Sequence, residues 1–176
     1  NYFIEVQSIE ELQSCLTFAK NNSLEVFVIG GGSNIVISDE GFDGMVIRLI
    51  MTEITIIKET EDLIFIKAGA GVNWDFFVDY SVSKGYWGIE NLSLIPGTVG
   101  AFPVQNVGAY GQVAKTVVYE VHVIERESGQ LKILTNTQCE FGWRTSIFNT
   151  SDKNRYIIIH VLFKFNKKYA PKLTRI

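Results

Sequence analysis

Apolar and polar positions follow two rhythms along this chain. Tyr2-Phe3-Ile4-Glu5-Val6, rich in aromatic and β-branched residues, reads as a short strand. Ser8 stands three residues ahead of Glu11, a capping-box spacing, and Ile9, Leu12, Leu16 and Ala19 then recur on one helical face. Asn21-Asn22 closes that helix, and the compact apolar run 26–29 predicts a second strand, so the chain opens as β-α-β. After Gly30-Gly31-Gly32-Ser33-Asn34, the run Ile35-Val36-Ile37 predicts a third strand; a turn at 39–44 and a strand at 45–49 follow.

A second lobe is expected from about Ile50. Residues 63–67 predict a strand that ends at Ala68-Gly69-Ala70-Gly71. Asn73 caps a helix with Trp74, Phe77, Val78 and Val82 on one side, and Gly85 is placed to stop it. Residues 86–112 show neither the helical nor the strand period, and a loop that long inside a compact domain is usually functional. Strands are predicted again at 117–125, 131–134 and 156–165, with Glu127-Ser128-Gly129 as a turn. The fold class is α+β with two lobes and more strand than helix, and the sequence has no internal repeat.

Composition narrows the partners. With 47% hydrophobic and 20% charged residues the chain is globular rather than disordered, and a net charge of −3 leaves no basic footprint for nucleic acid. The apolar run 156–163 is too short to span a bilayer and is interrupted by His160. No charged leader precedes the first strand, and Cys15 and Cys139 have neither metal-ligand spacing nor a disulfide framework. His122 and His160 lie within strands without ligands at metal spacing. The expectation is a cytoplasmic monomer with no metal, no membrane partner and no nucleic acid.

Candidate chemistry concentrates in glycine. Three consecutive glycines at a strand end are entropically costly, and a simple hairpin needs fewer. Gly30, Gly31, Gly32, Ser33 and Asn34 offer successive unobstructed N–H donors and a hydroxyl, which suits a pyrophosphate; a tight turn is the plainer alternative. A dinucleotide fingerprint fails here because the third glycine is absent and a strand-like run follows where a helix should. A P-loop fails for want of Gly-Lys-Ser/Thr. The cradle must therefore use loop amides rather than a helix N-terminus.

The second segment is Ile95-Pro96-Gly97-Thr98-Val99-Gly100-Ala101-Phe102-Pro103-Val104-Gln105-Asn106-Val107-Gly108-Ala109-Tyr110-Gly111. Its small residues let backbone approach a flat ligand, and the amides of Gln105 and Asn106 suit a heteroatom edge. A self-packed surface loop is the alternative. In Phe141-Gly142-Trp143-Arg144-Thr145-Ser146-Ile147-Phe148, an arginine among apolar residues reads as a partly buried cation. Taken alone, the residues favour a structural ion pair or an exposed head on a packed stem over charge stabilisation on a substrate.

These three segments, in this order and spacing, resemble the UDP-N-acetylenolpyruvoylglucosamine reductases, also called UDP-N-acetylmuramate dehydrogenases, over essentially the whole chain. Ile-Pro-Gly-Thr-Val-Gly followed by Gln-Asn-Val-Gly-Ala-Tyr-Gly is the specific part; other FAD enzymes of the wider fold share the triple glycine. The resemblance implies two α+β lobes of the vanillyl-alcohol-oxidase type clasping FAD, lobe 1 at residues 1–50 and lobe 2 at 51–170. It implies that Gly30, Gly31, Gly32, Ser33 and Asn34 meet the pyrophosphate. Ile95, Pro96, Gly97, Thr98, Gly100, Ala101, Gln105, Asn106, Gly108 and Ala109 would wall the flavin. It further implies reduction of the flavin by NADPH, then hydride delivery to the enolpyruvyl carbon of a nucleotide sugar in peptidoglycan synthesis. Arg144 matches the family arginine that stabilises the resulting negative charge, which reverses the structural reading, and Tyr110 lies where substrate should approach.

Departures accompany the match. The family continues into a substrate-binding domain carrying a serine proton donor and a glutamate; residues 171–176 would begin it, and no residue here takes either role. Arg175 follows Leu173-Thr174 where a tyrosine is usual, Phe102 stands where many relatives carry a small polar residue, and Trp143 replaces a tyrosine. The chain alone is therefore expected to bind FAD without turning over the sugar nucleotide. Other readings are an FAD-linked alcohol or sugar oxidase fragment, which would consume oxygen and ignore NADPH, and a non-enzymatic nucleotide-binding module.

Overall fold

A computed structural model describes residues 1–168. The chain begins with strand β1 (Tyr2–Val6), helix α1 (Ile9–Asn21), strand β2 (Val26–Ile29) and strand β3 (Met45–Leu49). These strands form a three-stranded parallel sheet in the order β1-β3-β2, with Ile47 paired to Ile4 on one side and to Val28 on the other. Ser8 caps α1 by accepting from Glu11 N at 3.1 Å. The Glu11 carboxylate returns to Gln7 N (2.9 Å), one residue earlier than a strict capping box requires. Leu12, Leu16 and Ala19 are buried as the period predicts, against Val6, Met45, Ile47 and Leu49.

Five further strands make an antiparallel sheet. These are β4 (Ile54–Glu59), β5 (Leu63–Gly69), β8 (Val118–Glu125), β9 (Leu131–Thr135) and β10 (Tyr156–Asn166), in the order β4-β5-β10-β8-β9. Strand β10 is central and nearly all apolar because both its faces are covered. On one face lie helix α2 (Trp74–Ser83) and the long loop, packing Trp74, Phe77, Phe102, Phe163 and Phe165 together. On the other, Ile124, Ile157 and Ile159 join the core of the parallel sheet, so the two sheets share apolar packing at a seam.

Local detail departs from the sequence pattern at three places. Residues 35–37 form no strand: Val36 is fully exposed, and an apolar run with no pairing edge has nothing to stabilise its extended backbone. Strand β4 was not anticipated, because the Ile56-Ile57 doublet sits at a register shift and breaks the alternation. The aperiodic loop contains a small hairpin of β6 (Gly108–Ala109) and β7 (Gln112–Val113). Its turn residues Tyr110 (φ 49°) and Gly111 (φ 82°) are both left-handed, as a type I′ turn demands. One helical turn, α3 (Ala114–Val117), precedes β8, which starts one residue later than the pattern suggests. No helix among the described residues is long and apolar enough to cross a membrane. The end of the expected second lobe and residues 171–176 lie outside the described residues.

Candidate functional site

The two glycine segments meet. A Cβ on Gly31 would lie 3.2 Å from Gly97 Cα, and one on Gly30 would lie 2.9 Å from Thr98 Oγ1, so backbone faces backbone where side chains cannot fit. Gly97 has φ +130°, a conformation essentially reserved for glycine. Around this contact lies a cavity of about 530 Å³ at the seam between the sheets.

Each wall comes from a definite element. The end of β2 delivers Phe27, Val28 and Ile29 and then turns into the triple glycine. The second loop is laid along the β5–α2 connection by Val99 N to Val72 O and Gly100 N to Ala70 O, both 2.9 Å. Trp74 N donates to Gly97 O at 3.1 Å. The Asp75 carboxylate accepts from Leu94 N and Ser93 Oγ, both at 2.7 Å, fixing Leu94 at φ +63° just before the loop enters the cavity. Those two bonds hold the Asp75 pKa below its ordinary value.

Several backbone donors inside are unpaired. Among the described residues, the N–H groups of Gly31, Gly32, Ser33, Asn34, Gly97 and Thr98 have no hydrogen-bond acceptor. The charged residues lining the cavity are Arg126, Arg144 and Lys153, with no carboxylate. Clustered loop amides beside cations form an anion-binding concavity. The apolar walls suit flat rings. The arrangement therefore fits a ligand with both a diphosphate and aromatic parts.

Arg144 stands at the tip of a tight turn closed by Gly142 N to Thr145 O (3.0 Å), itself left-handed at φ 54°. A non-glycine residue held there is strained, and the neighbours supply the restraint. Asn149 Nδ2 donates to Arg144 O (3.1 Å), and Asn106 Nδ2 donates to Gly142 O (2.8 Å). The side chain is exposed and forms no ion pair with a carboxylate among the described residues; its guanidinium carbon lies 5.8 Å from the Trp143 ring centroid. Of the readings the sequence leaves open, the partly buried, ion-paired arginine is thus corrected and the exposed head agrees: the turn lifts Arg144 out of the core to the cavity edge.

Gly30, Gly31, Gly32, Ser33, Asn34, Ile95, Pro96, Gly97, Thr98, Gly100, Ala101, Gln105 and Arg144 all line the cavity. Asn106, Gly108, Ala109 and Tyr110 do not. Asn106 is buried, its amide consumed by Gly142 O and by Lys115 N (2.9 Å), so it positions the Arg144 turn. Gly108 and Ala109 belong to the β6–β7 hairpin, and Tyr110 is exposed on its turn. Phe102 stacks on Trp74, ring centroids 3.7 Å apart, and shows the cavity only the edge of a core aromatic pair. Arg126, Lys153 and Asn154 are further polar residues of the lining that the sequence pattern does not point to, although Arg126, a cation just after an apolar strand, leaves a local signal.

The histidines are elsewhere. His122 and His160 face each other across β8 and β10, and each contacts a glutamate, Glu120 and Glu53 respectively. No group of three metal-ligating side chains occurs among the described residues. Burial pushes the His122 pKa down and that of the Cys139 thiol up to about 12.

A two-lobed α+β fold clasping an anion-binding, apolar-walled cavity defines a class of nucleotide-cofactor domain. The chain belongs to the FAD binding domain family, whose model matches residues 1–135. It is 39% identical over 166 residues to a curated UDP-N-acetylenolpyruvoylglucosamine reductase of Bdellovibrio bacteriovorus, covering 94% of this chain and 49% of that protein. The chain thus spans about half the length of the curated relatives it matches. Among solved structures, UDP-N-acetylenolpyruvylglucosamine reductase from Thermus caldophilus superposes with a TM-score of 0.76 at 24% identity, over 95% of this chain and 56% of that one. A p-cresol methylhydroxylase with substrate bound shares the fold more distantly, with a TM-score of 0.65 at 18% identity over 94% of this chain and 35% of that one.

Proposed function

We propose that this chain is the FAD-binding part of an NADPH-dependent reductase that converts UDP-N-acetylglucosamine enolpyruvate to UDP-N-acetylmuramate in peptidoglycan synthesis. The observation that carries the reading is the facing pair of glycine loops, with amides lacking acceptors around a cavity whose charged lining is entirely cationic. In this reading residues 1–50 and 51–170 are the two lobes, and a substrate-binding domain starts at 171–176. The protein is a cytoplasmic monomer.

FAD, when bound, supplies the two-electron chemistry that links NADPH to the enolpyruvyl double bond. The protein groups have separable tasks. Amide N–H groups of Gly31, Gly32, Ser33 and Asn34 would donate to the diphosphate oxygens, while Ile95, Pro96, Gly97, Thr98, Gly100, Ala101 and Gln105 would confine the ring system. Arg144 presents a fixed positive charge at the cavity edge, suited to negative charge that develops on the substrate. Tyr110, on the exposed hairpin, is assigned to substrate rather than cofactor. The proton that completes the reduction comes from the substrate-binding domain.

Titration of the chain, stripped of any flavin, with FAD tests the reading. The flavin spectrum should shift and the melting temperature rise; a chain showing neither response would defeat the proposal. In a complete reductase, Arg144→Met should lower kcat by roughly 100- to 1000-fold, the worth of one transition-state donor, while FAD affinity stays within a few-fold. Unchanged turnover would remove Arg144 from the mechanism.

A further inference from the structure

Arg126 is a cation that the fold leaves under-satisfied. It follows Glu125 at the end of β8 and reaches across the seam, where Nη1 donates to Val26 O at 2.8 Å. A guanidinium has five N–H donors, yet Nε is buried without a partner, and no ion pair engages Arg126 among the described residues. Burial lowers its pKa, and Glu25 only partly opposes that effect. A cation removed from water without a paired carboxylate is expensive, and such a group persists where something else supplies acceptors. Arg126 lines the cavity, and no carboxylate does.

Its position says which part of a ligand it meets. Arg144 and Gln105 belong to the redox end in the proposed function, and the triple glycine to the diphosphate. Arg126 is bonded to Val26, four residues of extended chain before Gly30, or about 13 Å. Phe27, Tyr156 and Ile157 line the cavity with it, forming an apolar, aromatic-flanked recess. Resting on that functional reading, we propose that Arg126 is the residue that holds the adenosine half of the cofactor and so makes the site selective for FAD over FMN. The guanidinium donates to acceptor nitrogens of the adenine ring or to the oxygens of the adjoining ribose, groups that FMN lacks.

The ratio of affinities tests it. The unchanged chain should bind FAD at least about 10-fold more tightly than FMN, and ADP should compete with FAD. Arg126→Met should weaken FAD and ADP by about 10- to 100-fold, the worth of one or two charge-assisted hydrogen bonds, while FMN changes by less than about twofold. Equal losses for FAD and FMN would mean that Arg126 only staples the lobes, and no loss for FAD would exclude the contact; either overturns the proposal. If Arg126→Met does not fold, Arg126→Lys gives the same ratio from a charged side chain, and failure of ADP to compete on the unchanged chain overturns the proposal without any variant. No FAD binding by the unchanged chain would defeat both this proposal and the reading beneath it, whereas FAD binding with an intact FAD-to-FMN ratio in the variant defeats this one alone.

Discussion

The two glycine loops touch each other, yet the protein holds them in opposite ways. The second loop is laid down by the fold: its backbone bonds to the β5–α2 connection, and Asp75 fixes its entry. The first loop hangs from the end of β2 with four consecutive amides lacking acceptors, and the apolar residues after it have no strand to join. One wall of the site is therefore preformed, while the other has donors satisfied only by water until an anion arrives.

The same substitution should have opposite consequences in the two loops. Gly31→Val drives a branched side chain at the Gly97 backbone, across the space the ligand needs. Because the first loop is exposed and loosely held, it can swing aside without unfolding the domain. FAD affinity should fall at least about 100-fold, equivalent to roughly 3 kcal/mol, with the melting temperature of the ligand-free chain nearly unchanged. Gly100→Val instead meets Ala70, with its Cβ 2.6 Å from Ala70 Cβ and 3.1 Å from the backbone there. Overpacking in that anchored layer costs roughly 1–3 kcal/mol and should lower the ligand-free melting temperature by about 3–10 °C. Calorimetry and flavin titration on both variants check the contrast; a Gly31→Val chain that melts early, or a Gly100→Val chain of normal stability, would erase it.

What could be seen in the sequence was whatever depends on near neighbours. The Ser8 and Asn73 caps, the buried faces of α1 and α2, and the glycine-rich character of both loops follow from local pattern, and the structure bears them out. The two-lobed α+β class followed from the pattern of elements, its flavoprotein type followed from the resemblance, and both agree with the family match. Failures arose where a distant partner decides the outcome. Ile35-Val36-Ile37 has the composition of a strand but lacks an edge to pair with, while β4 has an edge and an irregular pattern. Asn106 looked like a ligand-reading amide, yet Gly142, 36 residues away, claims its donor. Arg126 and Lys153 reach the cavity only because the sheets pack at the seam, which no spacing encodes.

A smaller effect probes how the anchored loop is held. Asp75 has a lowered pKa, caused first by the Leu94 N–H bond and then by the Ser93 hydroxyl. A depressed carboxylate stabilises the folded state above its unfolded value of about 4 and loses that contribution as pH falls through the folded pKa. Acidification below about pH 4 should therefore make amide exchange at Leu94 and its neighbours in the second loop faster relative to the intrinsic rate at the same pH. The first loop, which no carboxylate holds, should show no matching step. Asp75→Asn should bring the fast exchange to neutral pH, and an unchanged exchange profile in that variant would show that the backbone bonds alone anchor the loop.

The smallest predicted effect separates cofactor from substrate at the far end of that loop. Tyr110 occupies a left-handed turn position, 57% exposed, on a hairpin outside the cavity lining. The turn, not the phenol, is what the backbone requires: Gly111 follows it, and Asn91 Nδ2 bonds the Tyr110 carbonyl at 3.3 Å. Tyr110→Phe keeps that backbone bond and most of the surface area, so FAD affinity should shift by less than about twofold, as for a surface change away from the bound group. In a complete reductase the same change should raise KM for the sugar nucleotide by about 5- to 10-fold, the scale of one hydrogen bond, with little change in kcat. A flavin affinity that falls with the hydroxyl would place Tyr110 against the cofactor, and the second glycine loop would then have to reach the flavin along its whole length rather than only as far as Val107.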